Sequence, residues 1–366
     1  MGQYLERLSS QTSNQSMSRN LSLDLLRIMA MFMILILHSI VFMDMSDISF
    51  PKCLLYDTEI ALCRSGVNVF VLLTGYFLCK DNQNFRKIYT LVSSILFFNI
   101  ILLSIKQILL GGVTLHTLIT CLSPFKYWFI NCYIGLMLLA PYIIIAIKDM
   151  PHKTFDMLVL ILTLTNVLFG RFIGTADGFS LLWFINLFMI GQRLKRTSIQ
   201  YSQKKIILLL IASITIHVIW SFILLNNIEI LDSYNVGISG VYSNIFCLTT
   251  SVCLFLLFKQ SSLTAHSKII SFFALSAFAV YLISENFIIK PGIWKIWNSL
   301  LNYTNTSNNI MAFLSMQLFF CSLLFIVCVI IDRLRLFVFN LLNIDRFIYH
   351  LDLQTNKLLN FVVNKM

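Results

Sequence analysis

The 366-residue chain is poor in charge. Asp, Glu, Lys and Arg make up 12% of it, about half the roughly 25% of a soluble domain. It has only 5 prolines and 13 glycines, too few for a collagen-like or Pro/Gly-rich low-complexity chain. Its 9 cysteines include no CxxC pair and no Cys/His cluster at ligand spacing, so zinc-finger and iron–sulfur frameworks are excluded and no metal is expected. Walker and Rossmann glycine patterns are missing, as is any internal repeat of the kind that marks many transporters. No polar stretch is long enough to form a soluble catalytic domain. Any chemistry must therefore be built from apolar helices and short loops.

Apolar residues are what the chain has in plenty: 58% of it is hydrophobic. Runs of about 20 such residues, each able to cross ~30 Å of hydrocarbon, recur near 21–43, 60–79, 88–110, 127–147, 155–174, 179–194, 204–225, 238–258, 268–290 and 309–331. Glycines 170, 174 and 178 interrupt the fifth and sixth. The expected fold is an all-α, polytopic integral membrane helix bundle of about ten transmembrane helices, with membrane lipid around it. The first run is too long for a signal peptide, and no small-residue cleavage site follows it. Residues 1–20 are polar and expected to be disordered, residues 21–335 form the transmembrane domain, and residues 336–366 form a tail that alternates Phe, Leu and Ile with charge, as an amphipathic helix would.

Charge placement sets the orientation. With the N-terminus inside, inner segments hold nineteen of the 27 basic residues and outer segments six, among them Arg64 and Lys290. That bias puts both termini in the cytoplasm. The net charge of +11 therefore reads as topology and not as nucleic-acid binding. Cys53 and Cys121, in outer loops, are the one pair an oxidising compartment could bridge. Trp128, Trp183, Trp294 and Trp297 near span ends read as interfacial anchors. The oligomeric state is left open.

Inside the first run, Arg27 and His38 lie eleven residues apart. Eleven steps of ~100° come within ~20° of three full turns, so both side chains share one helix face with ~16 Å between them. Asp24 stands one turn before Arg27 and can pair with it. Ionisable groups within a span are costly and mark functional sites.

Four ordered segments resemble the membrane-bound acyltransferase 3 family: Arg27 and His38 with ten residues between them, Gly66–Phe77 (GVNVFVLLTGYF), Tyr127–Pro141 (YWFINCYIGLMLLAP) and Ala279–Asn286 (AVYLISEN). The resemblance covers about residues 20–335, with one departure: Ser284 stands where many relatives carry His. It implies O-acetyl transfer from cytoplasmic acetyl-CoA to a hydroxyl of a surface or lipid-linked (polyprenyl-linked) polysaccharide, of the O-antigen kind, in a bacterial inner membrane. The alternative is a polytopic flippase or polymerase of envelope glycan.

Under that resemblance Arg27, Arg86 and Lys87 are assigned to the donor, because guanidinium forks grip phosphate. His38 is the general base, since imidazole takes up and returns a proton near neutrality. Counted along its span, Glu285 falls at the depth of His38 and would orient it, giving a catalytic pair. Asn68, Thr74 and Tyr76, with Ser284 and Asn286, are expected to line the substrate.

Overall fold

A computed structural model describes residues 20–43, 50–78, 85–112, 114, 117–119, 123, 126–170, 176–226, 242–263, 266–304 and 309–363. The polar residues 1–19 and Cys121 lie outside them. Every long element among the described residues is a helix: α1 (Leu21–Val41), α2 (Phe50–Cys63), α3 (Ser65–Phe77), α4 (Arg86–Leu110), α5 (Trp128–Lys148), α6 (His152–Phe169), α7 (Leu181–Arg196), α8 (Gln203–Asn226), α9 (Ile245–Lys259), α10 (Ser267–Ser284), α11 (Lys290–Thr304), α12 (Ile310–Leu341) and α13 (Ile344–Val363).

Among the described residues, eight helical segments are long and apolar enough to span a membrane, and the chain is an all-α polytopic membrane bundle. Of the ten expected runs, the sixth and eighth fall short. Helix α7 has 16 residues and ends in Arg193, Lys195 and Arg196, and α9 has 15. Residues 238–241, which open the eighth run, are outside the described set. The second run is two helices that meet at Arg64, so Cys53 lies in helix α2 and not in a loop, and its thiol is free. At the C-terminal end, α12 continues past residue 336 to Leu341, and α13 then turns back onto α4, where Tyr89 and Thr355 share a hydrogen bond of 2.6 Å.

Helix α1 is the centre of the bundle, touching α2, α3, α9, α10 and α12. Its start is set by Asn20, whose side chain accepts from the Leu23 amide as an N-cap does. Small residues let its neighbours approach. A Cβ added at Gly66 would lie 2.6 Å from the Ala30 carbonyl oxygen, and one at Gly75 would lie 2.3 Å from that of Phe188. Glycine thus seats α3 between α1 and α7, the close packing that membrane helices use in place of a hydrophobic drive.

Three of the four tryptophans expected as interfacial anchors, Trp183, Trp294 and Trp297, are instead buried inside the bundle, while Trp128 is half-buried. Trp183 and Trp297 are wholly buried and Trp294 nearly so, with Trp183 Nε1 donating to Asn68 and Trp297 Nε1 to the Ser39 carbonyl. Buried indole needs such an acceptor, and both find one inside the bundle.

Candidate functional site

Two cavities open beside α1, one at Arg27 and one at His38. The larger, about 560 Å³, is lined by Arg27, Thr74, Arg86, Lys87 and Tyr133 among others, a size typical of small-molecule sites. Arg27 is held by Asp24 one turn earlier, at 3.1 Å, and its guanidinium lies 5.9 Å from the Phe77 ring centre. Arg86 and Lys87 open α4 and are exposed. The three cations expected to share one ligand do share one cavity.

That cavity holds a second carboxylate–guanidinium pair, whose Arg335 counts in the sequence only toward the inner positive charge. Asp332 and Arg335 on α12 sit one turn apart, with Arg335 Nε donating to Asp332 Oδ1 at 2.7 Å. Both are buried, and Asp332 Oδ2 has no hydrogen-bond partner among the described residues. Their i,i+3 spacing repeats that of Asp24 and Arg27 and was the available signal. It was missed because residue 332 falls just beyond the expected end of the span.

The smaller cavity, about 30 Å³, is lined by His38, Glu285, Trp128, Tyr242 and Tyr281 among others. Glu285 caps the C-terminus of α10, which brings its carboxylate against α1: Oε1 stands 3.0 Å from His38 Nδ1. The two atoms are close without the alignment of a hydrogen bond, and neither has another such partner among the described residues. Catalytic hydrogen bonds are often loose in this way before ligands bind. The other oxygen, Oε2, pairs with Lys290 Nζ at 2.6 Å. Lys290, read from the sequence as an outer topology residue, is therefore part of a His38–Glu285–Lys290 row. It also lies 4.3 Å from the Phe42 ring centre, a cation–π position.

The remaining expected liners divide. Thr74 lines the larger cavity. Asn68 lines neither: its amide donates to the Tyr242 carbonyl and accepts from Trp183 Nε1, tying three parts of the bundle together. Tyr76 packs against Phe77 and Phe255, with Lys259 over its ring. Ser284 is buried outside both linings. Asn286 donates to Asn99 and to the Tyr127 hydroxyl and accepts from the Ile288 amide, which fixes the turn that presents Glu285. Asn68 and Asn286 thus spend their side-chain amides on distant parts of the chain, and none of these four residues lines either cavity.

Among the described residues there is no group of three or more His, Cys, Asp or Glu arranged to hold a metal ion. A family model described as an acyltransferase domain matches residues 20–333. Neither a curated protein nor a solved structure matches the chain.

Proposed function

The chain belongs to the acyltransferase 3 family, and from that premise we propose that it moves an acetyl group from acetyl-CoA to a hydroxyl of a cell-surface or lipid-linked polysaccharide in a bacterial inner membrane. One observation carries the reading. A cavity lined by Arg27, Arg86 and Lys87 abuts a second cavity that holds His38 against Glu285.

In this reading the cations hold the phosphates of the donor at the cytoplasmic end, Arg27 and Arg86 by their planar forks. The acceptor hydroxyl meets His38, which takes its proton as the oxygen attacks the thioester carbonyl. The C–S bond breaks, a C–O ester bond forms, and the proton passes to the departing CoA thiolate. Glu285 acts through His38, orienting the imidazole and balancing its positive charge, while Lys290 keeps the carboxylate from standing alone in an apolar setting. Base catalysis of this kind contributes on the order of 10²–10⁴-fold.

Mass spectrometry of the surface glycan, with and without the gene, tests the proposal. A gene-dependent increment of one acetyl group on the glycan supports it. An unmodified glycan whose amount or chain length depends on the gene points instead to a flippase or polymerase.

A further inference from the structure

Three aromatic rings form the wall between the two cavities. Phe70 of α3, Phe129 of α5 and Phe278 of α10 line both. Phe278 is the middle ring, 6.2 Å from Phe70 and 5.9 Å from Phe129 between centres. It also meets Tyr133 of the larger cavity at 6.0 Å and Tyr281 of the smaller at 6.1 Å. Phe70 and Phe129 are buried, whereas Phe278 is only partly so and is the least confined of the three.

Resting on the function proposed above, we propose that Phe278 is the acyl-selecting residue: its ring decides which acyl groups reach His38 and keeps water from the thioester until they do. The cations that hold the donor are on one side of the ring layer and the base is on the other. Bond formation needs the carbonyl carbon within ~3–3.5 Å of the acceptor oxygen, so the acyl group must pass these rings. Beyond them lies a cavity of only about 30 Å³. A water needs ~10–15 Å³, so this space suits a few water-sized groups, on the order of an acetyl group. A butyryl chain adds two methylenes and has no room. The same apolar layer opposes the competing reaction, in which water attacks the thioester, the C–S bond breaks, and free acid and thiol are released. The three phenylalanine rings offer water no polar atoms to hold it, so water on the donor side is kept from His38, the base that would activate it.

Thiol release from acetyl-, propionyl- and butyryl-CoA by the purified protein, with and without glycan-bearing membrane vesicles, tests this. The wild type should favour acetyl-CoA and release little thiol without vesicles. Phe278→Ala should narrow the acetyl-to-butyryl preference by about tenfold or more, the scale at which pockets discriminate methylenes, and should raise vesicle-independent hydrolysis. Phe278→Trp should do the opposite, sharpening the preference and slowing transfer. Misfolding would push both variants the same way, so the opposed signs separate selection from damage. If Phe278→Ala keeps the wild-type preference and hydrolysis, or if it is inactive and Phe278→Trp keeps the wild-type preference, the inference is overturned. A wild type that transfers no acyl group from any of these donors refutes the function itself.

Discussion

Replacing Glu285 by Gln removes one charge and changes almost no volume. In the structure this carboxylate is a bridge, 3.0 Å from His38 Nδ1 and 2.6 Å from Lys290 Nζ, with 11% of its side chain exposed. As the acceptor hydroxyl loses its proton the imidazole becomes positive, and the carboxylate is the negative group in contact with it. At an effective dielectric of ~20, unit charges 3 Å apart attract by about 5–6 kcal/mol. Much of that is already offset by desolvation and by the competing pull of Lys290, so the net worth falls to the ~1.5–3 kcal/mol typical of interactions with a charged group. At about 1.4 kcal/mol per decade, turnover should fall ~10- to 10²-fold. Lys290 is 29% exposed and can turn to water, so the fold should survive. The assay is transfer of radiolabelled acetyl to glycan by enzyme reconstituted in vesicles, with acetyl-CoA binding measured in parallel. A variant that binds donor normally and turns over within twofold of wild type would refute the pairing. Glu285→Gln combined with His38→Ala should be no slower than His38→Ala alone, because groups acting as one unit are non-additive.

Further outcomes follow from the same geometry. His38→Ala should abolish glycan acetylation while leaving membrane insertion and donor binding near normal; substantial acetylation by the variant would remove the general base from the account. Arg27→Lys keeps the charge but loses the fork, so acetyl-CoA affinity should drop about tenfold by equilibrium binding, whereas Lys153→Gln, on α6 and away from the cavity lining, should change it less than twofold. Asn68→Ala strips partners from Trp183 Nε1 and the Tyr242 carbonyl, and should cost about 1–3 kcal/mol, read as a lower unfolding temperature. Asp332→Leu leaves Arg335 buried without its partner and should destabilise by ~3–5 kcal/mol, while Asp332→Leu with Arg335→Met should recover most of that; equal loss in both would contradict the pairing.

Helical periodicity made α1 legible. The 100° step places Arg27 and His38 on one face, and the structure gives each a cavity on that helix. Counting rise along α10 brought Glu285 to the level of His38, and the two atoms meet across 247 positions of sequence. What periodicity does not report is the partner of a side chain. Asn68 and Asn286 looked like site polars, yet their amides bond to residues far away in the sequence, Trp183, Tyr242, Asn99 and Tyr127. Trp183, Trp294 and Trp297 near span ends looked like anchors because composition cannot tell a headgroup region from a helix crossing. Lys290 and Arg335 were absorbed into a charge count that sets topology, although each sits against a carboxylate. The break at Arg64 was hidden because the residues on both sides of it are apolar or small enough to read as one run.

The central claim is that one acetyl group leaves CoA at the cation-lined cavity and reaches a glycan hydroxyl at His38. The most direct measurement supplies acetyl-CoA carrying an isotopically labelled acetyl group to the reconstituted enzyme and follows the label into the glycan by mass spectrometry. The account predicts labelled O-acetyl ester on the glycan with wild type, and none with His38→Ala although that variant still binds CoA. Label that never enters the glycan, or that enters it equally with both proteins, would contradict it.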